Sequence, residues 1–360
     1  MKKYSALGAC LLLPLLAVAQ DNQPYLLNPA AIPAAKLEKQ LAKAMAAPIR
    51  TIVDKARPSP TGDAHDYISY GRYYWPDPAK PDGQPFLKKD GYPNTAQIEK
   101  GDRELLEAWL DNVETFAFGW SQLHRADAAH RAGGWLRAWV IAPATRLNAN
   151  FDYAQIRLGH DHNRGSASGL IDTRGLLRLV DAVRLLHGSP GLSAADEGAI
   201  KVWFSDYLHW LTTSRNGRLE HAAKNNHGSW YLAQAIAIAR FVGRDDEARA
   251  FAQEDLARID GQIEPDGQQP LEIAREDGLT YSAFNLEAQL CAARLAAPLG
   301  IDLWHHTTPR GGSLSKAIEY LRPYDAAPEK WPHQQLAKPK PGFLAPLLEK
   351  AGELSKSPRS

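Results

Sequence analysis

The strongest constraint in this sequence is a helical hydrophobic period that recurs from Asp102 to Leu321. Leu105, Leu106, Trp109, Val113, Phe116, Trp120 and Leu123 follow mostly at three- and four-residue steps, which places them on one face of an α-helix. Trp135, Leu136, Trp139 and Val140 mark a second segment. Leu176, Leu177, Val180, Val183 and Leu186 mark a third, with Asp172 or Thr173 expected as its cap and Gly188 as its stop. Ile200, Trp203, Phe204, Tyr207, Leu208 and Leu211 form a fourth. Further helices are expected from Leu232 to Phe241, ending near Gly243, then from Asp246 to Ile259, Tyr281 to Leu295 and Ser313 to Leu321. No stretch of several residues alternates as a half-buried strand would, so the pattern alone reads as mostly α.

The N-terminal third is organised differently. Lys2-Lys3, the apolar run from Ala6 to Leu16 and Ala17-Val18-Ala19 read as a secretory signal peptide over residues 1–19, too short to span a bilayer comfortably. Cys10 sits too early in that run to suggest a lipid anchor. Its removal leaves Cys291 alone, so no intrachain disulfide is possible. An exported, disulfide-free protein of the periplasm or the medium is expected. Residues 20–65 are rich in proline and alanine, with a helix expected around Ala34 to Ala46. Asp66 to Asn94 has many prolines, glycines and aromatics without a period, the signature of a long ordered loop. The main domain is expected over 66–345, with the N-terminal segment packed on it and a polar, frayed tail over 346–360.

With 360 residues, 44% hydrophobic, the chain can bury a large core. A net charge of +1 argues against a broad basic face for nucleic acid, yet permits a local basic cleft.

The densest polar and aromatic cluster is Lys224-Asn225-Asn226-His227-Gly228-Ser229-Trp230-Tyr231. Asn225 or Asn226 is suited to cap the Ala-rich helix that follows, and a helix start gathers the N–H groups that favour an anion. By residue type alone, a capped helix with a satisfied histidine is an equal reading. The string Asn225 to Tyr231 resembles the signature of the alginate lyase family of polysaccharide lyases. Pro270 to Arg275 followed by Tyr281 to Leu286 resembles the family segment that carries an arginine and, two turns later, a tyrosine. Tyr73-Tyr74-Trp75-Pro76-Asp77-Pro78 with Lys80 to Gly83 resembles the aromatic motif of the branch that includes glucuronan lyases. Ile171-Asp172-Thr173-Arg174-Gly175 is a fourth match. Together they run in order from about Asp66 to Tyr324.

The resemblance implies an all-α fold, an (α/α) barrel or toroid in a single domain. It also implies β-elimination on a β-1,4-linked uronan, either alginate (polymannuronate) or glucuronan. That reaction removes the C5 proton beside a carboxylate, so donors must meet the second charge that builds there. Asn226, His227 and Arg275 are suitable donor types, and Arg275 presents a fork that matches a carboxylate. Tyr281 is expected as base and acid, its pKa lowered by Arg275, with His227 as neutraliser or competing base. Phe284, Asn285 and Ala288 share the helix face of Tyr281, so a core tyrosine is the alternative reading of that residue. Substrate contacts are expected from Tyr74, Trp75, Trp230, Arg174, Asn225, His162 and Arg164.

His160-Asp161-His162 lacks the spacing of a metal site, and no metal or cofactor is expected. The expected partner is an anionic polysaccharide, with no nucleic acid, no membrane after signal cleavage, and a monomeric chain. Two departures from the family pattern stand out. Gly228 and Ser229 follow His227 where the better-known members carry serine and an aromatic. Glu276 and Asp277 follow Arg275, and would repel the substrate and raise the Tyr281 pKa if they faced the cleft. The rival functions are a glycoside hydrolase on a similar barrel, using acids such as Glu272 and Glu287, and a non-catalytic exopolysaccharide-binding protein.

Overall fold

A computed structural model of the chain describes residues 23–55, 57 and 60–356. The signal peptide expected at 1–19 lies outside the described residues. Helix α1 (Ala34–Ala46) forms where expected and buries Leu37, Leu41 and Ala44 on one face. The segment read as an aperiodic loop carries three short strands, β1 (Ile68–Tyr70), β2 (Tyr74–Trp75) and β3 (Leu87–Lys88). Strands β2 and β3 pair with each other, and β1 runs parallel to β4 (Tyr153–Ile156). Two- to four-residue strands are too short to show a period-two pattern, so the sequence does not announce them.

The remainder is an all-α toroid of antiparallel helix pairs. Helix α2 (Arg103–Leu123) packs on α3 (Ala126–Leu136) and on α4 (Leu176–Leu185). After α5 (Ala194–Thr213) and α6 (Arg215–His221), helix α7 (Asn226–Phe241) packs on α4, α5, α8 (Asp245–Gln262) and α9 (Gly278–Ala296). Helices α10 (Leu314–Leu321) and α11 (Ala345–Leu354) close on α9. The periodic aromatics meet in the core, where Trp109 stacks on Trp139 with centroids 4.6 Å apart and meets Trp203 edge-on. Helix α7 is buried almost all round, which explains its alanine content: small side chains let the neighbouring elements approach closely.

Two local expectations are corrected. Neither Asp172 nor Thr173 caps α4. Instead the Asp172 carboxylate accepts from Ser69, Tyr67 and Gln155, which ties β1 and β4 to the turn before the helix. Thr173 is fully buried and donates to Leu170 O and Gln234. The tail is not frayed through its length. Helix α11 buries Leu347, Ala351 and Leu354, and Lys350 pairs with Glu287 at 2.8 Å. The charged residues there occupy the outer face of an amphipathic helix, so polarity alone misread them. At the other end, three backbone N–H groups, of Tyr25, Leu26 and Leu27, converge on the buried Asp181 of α4 and pin the N-terminal segment to the toroid. Among the described residues no helix is long and apolar enough to cross a membrane.

Candidate active site

The starts of α7 and α9 and the end of α6 bring the motif residues together. Asn225 is the N-cap of α7, its side chain accepting from His227 N at 3.4 Å. Asn226 is 1% exposed and points at Glu272 of the short helix Pro270–Ile273. Its backbone N–H and its Nδ2 each donate to one Glu272 oxygen at 2.6 Å, while its Oδ1 is buried with no partner. Burial raises the Glu272 pKa, and the two N–H groups of Asn226 oppose the rise, followed by the charges of Arg275 and His227. Glu272 is thus the buried hinge between the Asn-His and Arg-Tyr motifs.

His227 Nδ1 lies 2.6 Å from Oε1 of Glu220, a carboxylate 3% exposed near the end of α6. A carboxylate only accepts, so Nδ1 carries a hydrogen, and it is the Nε2 side of the ring that is left to exchange a proton. Among the described residues the half-buried imidazole has no partner at Nε2, which leaves that nitrogen for a proton from elsewhere.

Arg275 donates from Nε and Nη2 to the two oxygens of Asp90 at 2.8 and 2.7 Å. Its guanidinium also lies 3.7 Å from the ring centroid of Tyr281. The Tyr281 hydroxyl is 2.8 Å from that of Tyr73 on the 66–94 loop. Arg275 does not lower the pKa of Tyr281 on balance. Burial raises it first and the Tyr73 hydrogen bond next, and together they outweigh the nearby cation. Glu276 and Asp277 are turned elsewhere: Glu276 bonds Gln334, and Asp277 accepts from Ala337 N and Gln335. The acid that bears on Tyr281 is Asp90.

The residues expected to hold substrate are spread more widely. Tyr74 and Trp75 lie beside Tyr73, half-buried, with Arg157 over the Tyr74 ring and Lys89 over the Trp75 ring. Trp230 is 5% exposed and packs on Phe284, so the indole is an inner wall and not an open stacking face. Arg174 lies over Phe284 and lines a cavity of about 350 Å³ with Glu107, Trp230, Glu287 and Lys350. None of Tyr281, His227, Asn226 and Arg275 lines that cavity. His162 and Arg164 are exposed, in and just after a left-handed turn at 161–163.

Glu220 and Asp90 were not legible as site residues. An acid seven positions before a histidine, or one after two lysines in a loop, has many solvated counterparts, and no spacing rule marks either. Glu272 and Glu287, the pair a hydrolase would need, have separate partners in Asn226 and Lys350. The glycine departure has a spatial cause: a Cβ on Gly228 would lie 2.0 Å from Arg258 Nη1.

Comparison with known proteins identifies the family. A family model described as alginate lyase matches residues 51–331. Among solved structures the chain is similar to an alginate lyase from Bacteroides ovatus, with 32% identity over 90% of each chain and a TM-score of 0.82. It is also similar to a tyrosine-to-phenylalanine variant of alginate lyase A1-III complexed with a tetrasaccharide. That match has 15% identity, covers 86% of this chain and 79% of the other, and has a TM-score of 0.55. A histidine-to-alanine variant of the same enzyme, also with a tetrasaccharide, matches at 15% identity over 82% and 77% of the two chains, with a TM-score of 0.55. At that identity the likeness is one of fold. No curated protein matches. Fold and site together define an α/α-toroid polysaccharide lyase. The chain belongs to the alginate lyase family.

Proposed function

We propose that the chain is an exported enzyme that cleaves a β-1,4-linked uronan, alginate rich in mannuronate or glucuronan, by β-elimination. The observation that carries this is the Arg275 guanidinium 3.7 Å above the Tyr281 ring, with a second phenol 2.8 Å from the Tyr281 hydroxyl. A base removes the C5 proton, the electron pair forms the C4–C5 double bond, the C4–O bond breaks and the departing O4 takes a proton. In mannuronate and glucuronate the C5 proton and O4 lie on one face of the ring. Tyr281 serves both halves there, taking the C5 proton as phenolate and returning it to O4. Arg275 favours the phenolate and, with His227, meets the substrate carboxylate. Asn226 enters through Glu272, whose carboxylate it fixes between the two motifs. Tyr74 and Trp75 are assigned as the sugar-stacking faces, Asn225 and Arg174 as further substrate contacts, and His162 and Arg164 as contacts at the rim. Export rests on the charged start, apolar run and small residues of 1–19.

A second division of labour is favoured by the Glu220–His227 pair. The environment of Tyr281 holds it as the neutral phenol, a ready donor to O4, and His227 Nε2 then takes the C5 proton. Purified protein should generate new ultraviolet absorbance from unsaturated uronate ends on polymannuronate or glucuronan. Y281F should remove it, by at least about a thousandfold, with the circular dichroism unchanged. Near-normal activity in Y281F overturns both assignments. H227N separates them in one direction: retained activity on these polymers excludes His227 as the base and leaves Tyr281 as sole base. Reducing ends without absorbance would identify a hydrolase, and binding without a fall in viscosity a non-catalytic module.

A further inference from the structure

Helix α8 presents Arg258 to the junction between α6 and α7. Its Nη2 donates to His221 O at 2.8 Å and its Nη1 to Ala223 O at 2.5 Å. These carbonyls belong to the last residue of α6 and to the turn after it, groups that a helix end leaves unpaired. The guanidinium also fills the space that Gly228 leaves empty, where a Cβ would lie 2.0 Å from Nη1 and 2.1 Å from Ala223 O. Glu220 immediately precedes His221, and His227 immediately precedes Gly228. One side chain therefore abuts the chain neighbours of both members of the Glu220–His227 pair. Its counter-ion is on the same helix. Asp255 is fully buried, with its Oδ1 3.9 Å from Arg258 Nε. Arg258 is the cation that faces this carboxyl and the strongest influence opposing its burial.

We propose that Arg258 is a positioning residue for the elimination, holding Glu220 within hydrogen-bonding reach of His227 Nδ1, and that Asp255 holds Arg258 in place. The proposal rests on the lyase reading only for its kinetic readout. Nothing in the Asn-His motif signals it, because the contacts run through backbone carbonyls and an absent side chain.

A double-mutant cycle tests it. R258A should lower kcat about 10- to 100-fold with KM within about twofold, the signature of a displaced acid–base group. In an E220Q background the same change should lower kcat less than about twofold, because the pair it serves is already broken. R258K, which keeps the charge but reaches one carbonyl, should fall between and serves where R258A does not fold. Equal losses in both backgrounds, or a change confined to KM, overturn the proposal. An independent readout uses no substrate: the low-field Nδ1 proton of His227, identified by its absence in H227N, should shift or vanish in R258K. An unmoved resonance refutes the positioning role whatever the substrate is. A wild-type chain silent on uronans would sink the lyase reading alone.

Discussion

The two walls of the site are built on opposite principles. The helical wall, from Glu220 through His227 to Glu272, is buried: each carboxylate there is a few per cent exposed at most and anchors a motif residue. The loop wall, from Tyr73 to Asp90, reaches the same site through two contacts, Tyr73 with Tyr281 and Asp90 with Arg275. The first is held by desolvated hydrogen bonds whose loss leaves a buried polar group unpaired. The second is held by an ion pair whose side chains are 16% and 22% exposed, enough for water to compete with it. Preorganisation therefore resides in the helical wall, and the loop wall is where charge at Arg275 and Tyr281 can be exchanged. The same guanidinium that suits a sugar carboxylate already holds one, from Asp90.

The sharpest way to break this contrast is E220Q. The substitution keeps the size of the side chain but changes what His227 Nδ1 meets, and kcat should fall roughly a hundredfold or more with the melting temperature little changed. A loss of only a fewfold would mean that the helical wall does not orient the imidazole. D90N should act less on rate and more on the loop. Losing the charge-assisted pair should cost about 1–2 kcal/mol of stability, seen in denaturant midpoints. The Arg275 fork holds the Asp90 carboxyl below the usual carboxylate range. A depressed folded pKa stabilises above the unfolded value near 3.9, and is lost as pH falls through the folded one. The gap between wild type and D90N should therefore be constant from pH 7 to about 5 and close only below about pH 4.

Asp255 has the opposite sign. Burial pushes its carboxyl up to about 7, with Arg258 opposing and Glu254 adding to the rise. Here the folded state binds the extra proton, so the contribution is present below about pH 4 and lost as pH rises to about 7. D255N, which cannot ionise, should gain stability relative to wild type across that window; parallel curves would place Asp255 in a wetter setting. The smallest effects belong to the rim. H162A and R164A, both exposed, should change stability by less than about 0.5 kcal/mol and leave kcat alone, with any loss confined to KM.

Most of the helices were legible because periodicity is a local signal: Trp109, Trp139 and Trp203 announce a core face wherever they later meet. The motif residues were legible by resemblance. Their partners were not, since Arg275 finds Asp90 across 185 positions and Asn226 finds Glu272 across 46. The orientation of Glu276 and Asp277 was equally hidden, for it depends on which side of the turn the 334–337 segment returns to. The burial of Trp230 was hidden as well, because an aromatic beside a polar motif looks alike in a wall and in a cleft.

Sequence by itself determined the helical class, the order of the motifs and the residue types that the proposed elimination requires. Those follow from side-chain spacing and donor chemistry, which need no neighbours. Only the tertiary structure decided the protonation tendency of Tyr281, the partner of His227 Nδ1 and the counter-ion of Arg275. Each depends on burial and on charges brought close by folding, and the free energy of a buried charge is set by surroundings that no short stretch of chain encodes.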